Sequence, residues 1–221
     1  TGNKNYQKDF YAPVEGFVQI PFGDEGALAQ YLQEHHENLA AVMLEPIQGE
    51  GGIVVPPQGY LKAVRNLCSR YEVPLVLDEI QTGLGRTGAL FACQTEGVAP
   101  DVLVVAKALS GGIVPIGAVI CTEEMYTEAF AMKHSSTFAG NSLGCSVGLA
   151  VMDMLTDDNG FLVREVARKG RILKEGLDVI QRRYPEVIRE VRGTGYMLGI
   201  DFGSDRSVYP HSLLGVLAEQ E

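Results

Sequence analysis

Charged side chains stand directly after three apolar runs of this sequence, and such positions can carry chemistry. Glu45 follows AAVML, Asp78 follows PLVL and Lys107 follows VLVVA. A carboxylate at the end of a buried strand is costly to desolvate unless it is hydrogen-bonded or paired with a cation. A lysine in a low-dielectric site tends to lose its proton and becomes a nucleophile. The pattern indicates a nucleophilic amine near a carboxylate that needs a cationic partner.

Both residues also have ordinary structural explanations. Asp78 could cap a helix or join a structural ion pair, and Lys107 could pack its methylene groups while its ammonium group reaches water. Gly111 and Gly112 permit close backbone approach to something bulky beside Lys107, which favours a ligand. Position alone leaves these alternatives open.

The elements that position these residues follow from the hydrophobic pattern. Short apolar runs bounded by turn residues predict strands near 40–45, 74–79, 102–106 and 117–122. Helical spacing between the first two predicts a helix that contains Leu61, Val64, Leu67, Cys68 and Tyr71. Near-continuous apolar runs suit strands covered on both faces, so we predict an α/β fold with a mostly parallel sheet and flanking helices. Ligands of such sheets lie beyond the carboxyl ends of the strands.

The second half of the chain has a different texture. Helices are predicted at about 142–155 and 162–184, and the segments VIREVRG and YMLGIDFG predict two strands joined near Gly193–Gly195. The turn-forming stretch Asp157–Gly160 is the candidate boundary. We therefore predict a large domain over 1–158 and the start of a smaller C-terminal α+β domain over 159–221.

Composition excludes several classes of function. The net charge of -10 and the pI near 4.9 oppose binding to a nucleic acid backbone, so no nucleic acid partner is expected. The four cysteines form no C-x-x-C pair, and no metal site is indicated. No apolar run approaches the roughly 20 residues that span a bilayer. We expect a cytoplasmic protein with a small-molecule partner and no membrane association.

Together, Lys107 and Asp78 supply the two groups that pyridoxal 5'-phosphate (PLP) chemistry most needs from a protein. A lysine amine forms an imine with the cofactor aldehyde, and an aspartate keeps the ring nitrogen protonated, which makes the ring an electron sink. The freed lysine can then act as the base that moves the substrate proton. The two residues considered together favour PLP as the cofactor.

Five motifs in order carry a resemblance to a known family. They are EPIQGEGG from Glu45, LDEIQTGLGRTG from Leu77, PDVLVVAKALSGGIVPIGA from Pro100, SSTFAGNSLGC from Ser135 and VRGTGYMLGI from Val191. The chain resembles class III aminotransferases of the ornithine, acetylornithine and ω-amino acid type over nearly its whole length. The resemblance implies the large domain of the fold type I PLP-dependent transferases.

The resemblance also implies roles for single residues. Lys107 would be the Schiff-base lysine, Asp78 the partner of the pyridine nitrogen, and Gln81 a neighbour of the cofactor's phenolic oxygen. Thr137 resembles the threonine that reaches the cofactor phosphate of the neighbouring subunit, which implies a homodimer with shared active sites. Glu45 is included as a further cofactor-binding residue, with a strand-end structural role as the alternative.

Substrate contacts are implied as well. Arg192 resembles the arginine that binds the substrate carboxylate, and Glu50 resembles the acid that pairs with it. A planar guanidinium suits bidentate binding of a carboxylate. Opening and closing of this pair would let one pocket accept both substrates of a transamination, an amine or amino acid donor and a keto acid or aldehyde acceptor.

The family's phosphate-binding turn and stacking aromatic ring would lie upstream of Thr1. The chain also ends within an apparent helix of the small domain, so we expect a fragment, incomplete at both ends, that in isolation could be inactive. The alternatives are an aminomutase or other PLP enzyme of the same fold, and a truncated non-catalytic dimerisation module. A flavodoxin-like nucleotide-binding domain has little support, because the sequence contains neither G-x-G-x-x-G nor a P-loop.

Overall fold

A four-stranded, mostly parallel sheet forms the larger part of the structure, a computed structural model that describes residues 7, 15–131, 133 and 136–202. Strands β1 (Val42–Leu44), β2 (Leu75–Asp78) and β3 (Val102–Val105) are parallel neighbours. Strand β4 (Ala118–Cys121) pairs antiparallel with β3 at the edge. All four strands lie where the apolar runs predict them.

Two helices cover one face of this sheet. Helix α2 (Tyr60–Arg70) buries one stripe against the sheet, formed by Tyr60, Leu61, Val64, Leu67 and Cys68. Its N-cap is Gly59, which has no side chain to satisfy the first free N–H groups. Glu96 does this instead, because its carboxylate accepts from the N–H groups of Gly59 and Lys62 at 3.1 and 3.0 Å.

Helix α1 (Glu25–His35) was not among the predicted elements. Asp24 caps it by accepting from the Ala27 N–H at 2.9 Å, and Leu28 and Leu32 are its buried positions. The cap and the i, i+4 leucine pair are the signals that identify this helix in the sequence.

The connections after β3 and β4 contain short helical turns. The 3₁₀ helices are His36–Asn38, Ala92–Glu96, Lys107–Ser110 and Glu123–Met125, and α3 (Glu128–Ala131) is a single helical turn. The turn that begins at Lys107 follows β3 directly and contributes to the site described below.

Helix α4 (Ser142–Arg183) is interrupted at Asp157–Gly160, where the sequence predicts a boundary. Asp158, Asn159 and Gly160 have positive φ angles of 48°, 53° and 70°. Asp, Asn and Gly adopt this left-handed conformation more readily than other residues, which explains the position of the break. Arg164 donates to the carbonyls of Asp158 and Asn159 and so stabilises it.

Strands β5 (Glu190–Thr194) and β6 (Met197–Asp201) form a separate antiparallel hairpin, as the sequence predicts. The hairpin packs on α4 at a very close approach, because a Cβ added to Gly170 would lie 2.3 Å from the Gly195 carbonyl oxygen. The division into domains at residue 158 stays a prediction, and the helix predicted at the end of the chain lies outside the described residues.

Within the described part of the chain, no helix is both long enough and apolar enough to cross a membrane.

Candidate active site

Three chain segments leave the sheet at one edge and bring the predicted cofactor residues together there. The parallel register aligns Leu44 with Leu77 and Asp78 with Val104. Glu45 follows β1, Asp78 ends β2, and Lys107 lies two residues beyond β3. The carboxyl ends of parallel strands are the usual ligand site of such sheets, so the edge is the candidate active site.

Asp78 is half-buried at this edge. Its Oδ1 accepts from the Ile80 N–H at 3.0 Å. Among the described residues, no ion pair of Asp78 with a lysine or arginine is recorded. A half-buried carboxylate that lacks a protein cation is suited to a cationic ligand atom.

Lys107 differs from expectation, because its side chain is exposed and does not lie in a low-dielectric site. Strand β3 ends at the buried Val105, and Lys107 begins the 3₁₀ turn that carries the backbone away from the sheet. Its φ of 45° is in the left-handed region, which is uncommon for residues other than glycine. Such conformations cluster at functional sites, where the surrounding structure holds them.

Gln81 lies directly against the backbone of Gly49. A Cβ added to Gly49 would be 2.0 Å from the Gln81 Oε1, so no larger residue fits at that position without displacing Gln81. Glu45 fixes the same loop, because its Oε2 accepts from the Gly49 N–H at 2.9 Å. The loops after β1 and β2 are therefore held together at the edge of the sheet.

Glu79, the neighbour of Asp78, has a structural position. It is fully buried, and its carboxylate accepts from the N–H groups of Ala92 and Cys93 at 2.7 and 2.8 Å and from the Thr82 hydroxyl at 2.9 Å. Burial, and then the nearby Glu79 charge, raise the pKa of the Cys93 thiol to about 12. Glu79 thus anchors the loop that follows Asp78.

The β5–β6 turn packs against the loop of residues 84–88. The Tyr196 N–H donates to the Arg86 carbonyl at 2.9 Å, and a Cβ on Gly195 would lie 2.4 Å from the Thr87 carbonyl carbon. The position of the hairpin relative to the sheet edge is therefore set by backbone contacts. Arg86 serves this turn through its carbonyl.

Arg192 lies on β5 and contacts the loop that carries Glu50. Its Nε donates to the Gly52 carbonyl at 2.9 Å, and its Nη1 donates to Glu190 at 2.9 Å and to Asp201 at 3.1 Å. Glu190, as the largest cause, and Asp201 raise the pKa of Arg192.

Glu190 and Asp201 were not singled out from the sequence. Residues 190 and 192 share one face of β5, and Glu190 pairs with Asp201 across the hairpin. Strand alternation and hairpin register together could have identified both acids.

Glu50 and Thr137 are both exposed. Thr137 lies in the turn before α4, where Asn141 caps the helix by accepting from the Gly144 N–H at 2.8 Å. The pairing of Glu50 with Arg192 and the reach of Thr137 to a neighbouring subunit stay predictions.

Solved structures of aminotransferases resemble this fold. The ornithine aminotransferase of Toxoplasma gondii ME49 is 36% identical with a TM-score of 0.87, and the match covers 99% of this chain and 51% of that one. The acetylornithine aminotransferase of Elizabethkingia anophelis is 37% identical with a TM-score of 0.78, over 87% of this chain and 48% of that one. An (S)-enantioselective ω-transaminase of Thermomicrobium roseum is 34% identical with a TM-score of 0.81, over 94% and 51%.

The family model of class-III aminotransferases matches residues 1–219, and the chain therefore belongs to that family. The predicted resemblance, the α/β fold and the class of enzyme are confirmed by these similarities. The prediction of PLP is confirmed at the level of the family, and a second structure of the Toxoplasma gondii ornithine aminotransferase has PLP at partial occupancy in its active site. The chain spans about half the length of the solved relatives that it matches.

Proposed function

We propose that the protein is a PLP-dependent aminotransferase that moves an amino group from an amine or amino acid donor to a keto acid or aldehyde. The observation that carries this proposal is the sheet edge, where Asp78 and Lys107 follow neighbouring strands and neither has an ion-pair partner among the described residues. Membership of the class-III family supports the same conclusion.

The residues at this edge fit PLP by their chemistry. Asp78 offers a negative charge to a protonated ring nitrogen, and Lys107 offers an exposed primary amine for covalent attachment. Gln81, held against Gly49, can donate to the phenolic oxygen through its amide. Glu45 fixes the loop against which Gln81 packs.

When bound, PLP supplies an electron sink that stabilises negative charge on the substrate carbon that loses a proton. Lys107 would hold and return that proton through its amine, because a released lysine amine is a general base. Asp78 would keep the positive charge at the far end of the cofactor. Arg192 would orient a substrate carboxylate, with Glu50 as its alternative partner.

We also propose a homodimer in the cytoplasm, with Thr137 of each protomer contacting the cofactor phosphate of the other. The names of the similar structures suggest the donors to test first. These are ornithine, N-acetylornithine and a primary ω-amine.

Reduction with borohydride tests the attachment to Lys107. We expect the full-length protein with PLP to lose its imine absorbance on reduction, and peptide mass mapping to find a pyridoxyl group on Lys107. Lys107→Ala should abolish both signals, whereas Lys62→Ala, which removes an exposed lysine of α2, should leave them unchanged. An adduct on another lysine, or none, would contradict the proposed site.

Activity assays separate transamination from the alternatives. Each donor is supplied with and without a keto acid acceptor, and the aminated product is quantified. Product that requires the acceptor supports an aminotransferase, whereas rearrangement of a single substrate identifies an aminomutase. A protein that binds PLP and performs neither reaction would contradict the proposal.

A further inference from the structure

We propose that Glu190 is an internal carboxylate that occupies Arg192 in the absence of substrate and is displaced when a substrate carboxylate binds. Glu190 would thereby set the affinity for carboxylate-bearing substrates. This inference rests on the proposed function, in which Arg192 binds that carboxylate.

The guanidinium of Arg192 is divided between two kinds of partner. Nε donates to the Gly52 carbonyl, which ties the side chain to the loop after β1. Nη1 donates to the carboxylates of Glu190 and Asp201. Gly52 therefore sets the position of the guanidinium, while the acids occupy a donor that a substrate carboxylate would use.

The two acids differ in how firmly they are held. Asp201 is 13% exposed and also forms an ion pair with Arg189. Glu190 is 53% exposed, and within the described part of the chain its recorded ion pair is with Arg192. Glu190 can therefore leave for water, whereas Asp201 stays with two arginines.

The charges on this face of the hairpin balance while Glu190 is in place. Arg189 and Arg192 carry two positive charges, and Glu190 and Asp201 carry two negative ones. An incoming carboxylate thus meets a neutral group of side chains. When Glu190 moves away, or is replaced by a neutral residue, one positive charge becomes available to the substrate.

The size of the effect follows from the exposure of the pair. Exposed ion pairs change an equilibrium by about one- to fivefold, since water screens the charges. Glu190 is thus expected to tune binding and to leave the chemical step unchanged. It acts from the hairpin, whereas Glu50 lies on the loop after β1.

The test compares Glu190→Gln with Glu186→Gln in the full-length protein with PLP. Both changes remove one exposed negative charge, but Glu186 lies in the turn before β5. We expect Glu190→Gln to lower the KM for 2-oxoglutarate about two- to fivefold, with kcat and the KM for an aldehyde acceptor unchanged. Glu186→Gln should change none of these values. An unchanged or higher KM in Glu190→Gln, or an equal decrease in both variants, would overturn the proposal.

Binding of glutarate gives a readout that does not depend on turnover. Glutarate carries two carboxylates and no carbonyl that can react, and calorimetry should show a two- to fivefold lower Kd in Glu190→Gln, about the factor expected for KM. A wild-type protein that transfers no amino group would refute the proposed function, while an equal glutarate Kd in wild type and Glu190→Gln would refute this inference. If Glu190→Gln does not fold, Glu190→Thr, which suits a strand, replaces it with the same expected result.

Discussion

Two adjacent carboxylates of this protein have opposite surroundings. Strand geometry sends successive side chains to opposite faces, so Asp78 and Glu79 diverge at the end of β2. Glu79 points into the core, where backbone N–H groups and a hydroxyl surround it, while Asp78 stays at the edge of the sheet. One strand end thus provides both an anchor for the following loop and a charge for a ligand.

The Glu79 anchor can be tested by removing its charge. Glu79→Gln keeps the shape but offers only one acceptor oxygen, so its amide group faces N–H donors and leaves at least one of them unsatisfied. We expect the free energy of unfolding to fall by about 1–3 kcal/mol. Urea denaturation of the full-length protein measures the change.

Glu37→Gln, in the exposed 3₁₀ turn after α1, is the matched control and should stay within about 0.5 kcal/mol of wild type. A Glu79→Gln protein as stable as this control would show that the buried hydrogen bonds do not stabilise the loop.

At the scale of elements, glycines determine how closely α4, the hairpin and the sheet-edge loops approach one another. Gly170 meets the backbone of Gly195, and Gly195 in turn meets the backbone of Thr87. Three segments that are distant in the sequence are thus stacked backbone on backbone. The position of Arg192 relative to Asp78 depends on this stack.

Two alanine substitutions in the same helix separate this contact from helix propensity. Gly170→Ala places a methyl group against Gly195, and we expect it to destabilise the protein by about 1–3 kcal/mol and to raise the KM for carboxylate substrates. Gly176→Ala meets no atom within 4 Å and should be neutral or stabilising by up to about 1 kcal/mol. Thermal melting and steady-state kinetics provide the measurements. Equal melting temperatures for the two variants would contradict the role of the stack.

The sequence predicts the elements better than their contacts. Apolar runs locate the strands, and the stretch Asp157–Gly160 locates the break in α4, because both depend on local preferences. The stack at Gly170 and Gly195 has no local signal, since it depends on the packing of segments that are far apart in the chain. The exposure of Lys107 was missed for a related reason: a strand ending in buried residues does not reveal the direction of the following turn.

On the scale of the whole molecule, the candidate site combines the loops after β1, β2 and β3 with the hairpin. The sequence predicts most of these residues through their motifs. It does not predict that Glu190 and Asp201 bind Arg192, because this arrangement depends on the register of β5 with β6. Thr137 lies in a different segment, before α4, and its proposed role involves a second copy of the chain.

Mixing two impaired variants tests the shared site. In a symmetric dimer, a protomer with Lys107→Ala and a protomer with Thr137→Ala would together form one intact site, which uses Lys107 of one and Thr137 of the other. Co-expression of the two full-length variants should restore roughly a quarter of the wild-type activity by random pairing. Activity no higher than the average of the two separate variants would show that Thr137 acts within its own protomer.

The contact between Arg192 and Gly52 joins positions that are 140 residues apart. Glu45, Asp78, Gln81 and Lys107 lie much closer together in the chain, and their shared sheet can form before the rest of it is in place. Contacts of such long sequence separation form slowly, because a large loop must close first. During folding, the edge with the cofactor residues therefore precedes the hairpin, and the substrate arginine is the last part of the site to arrive.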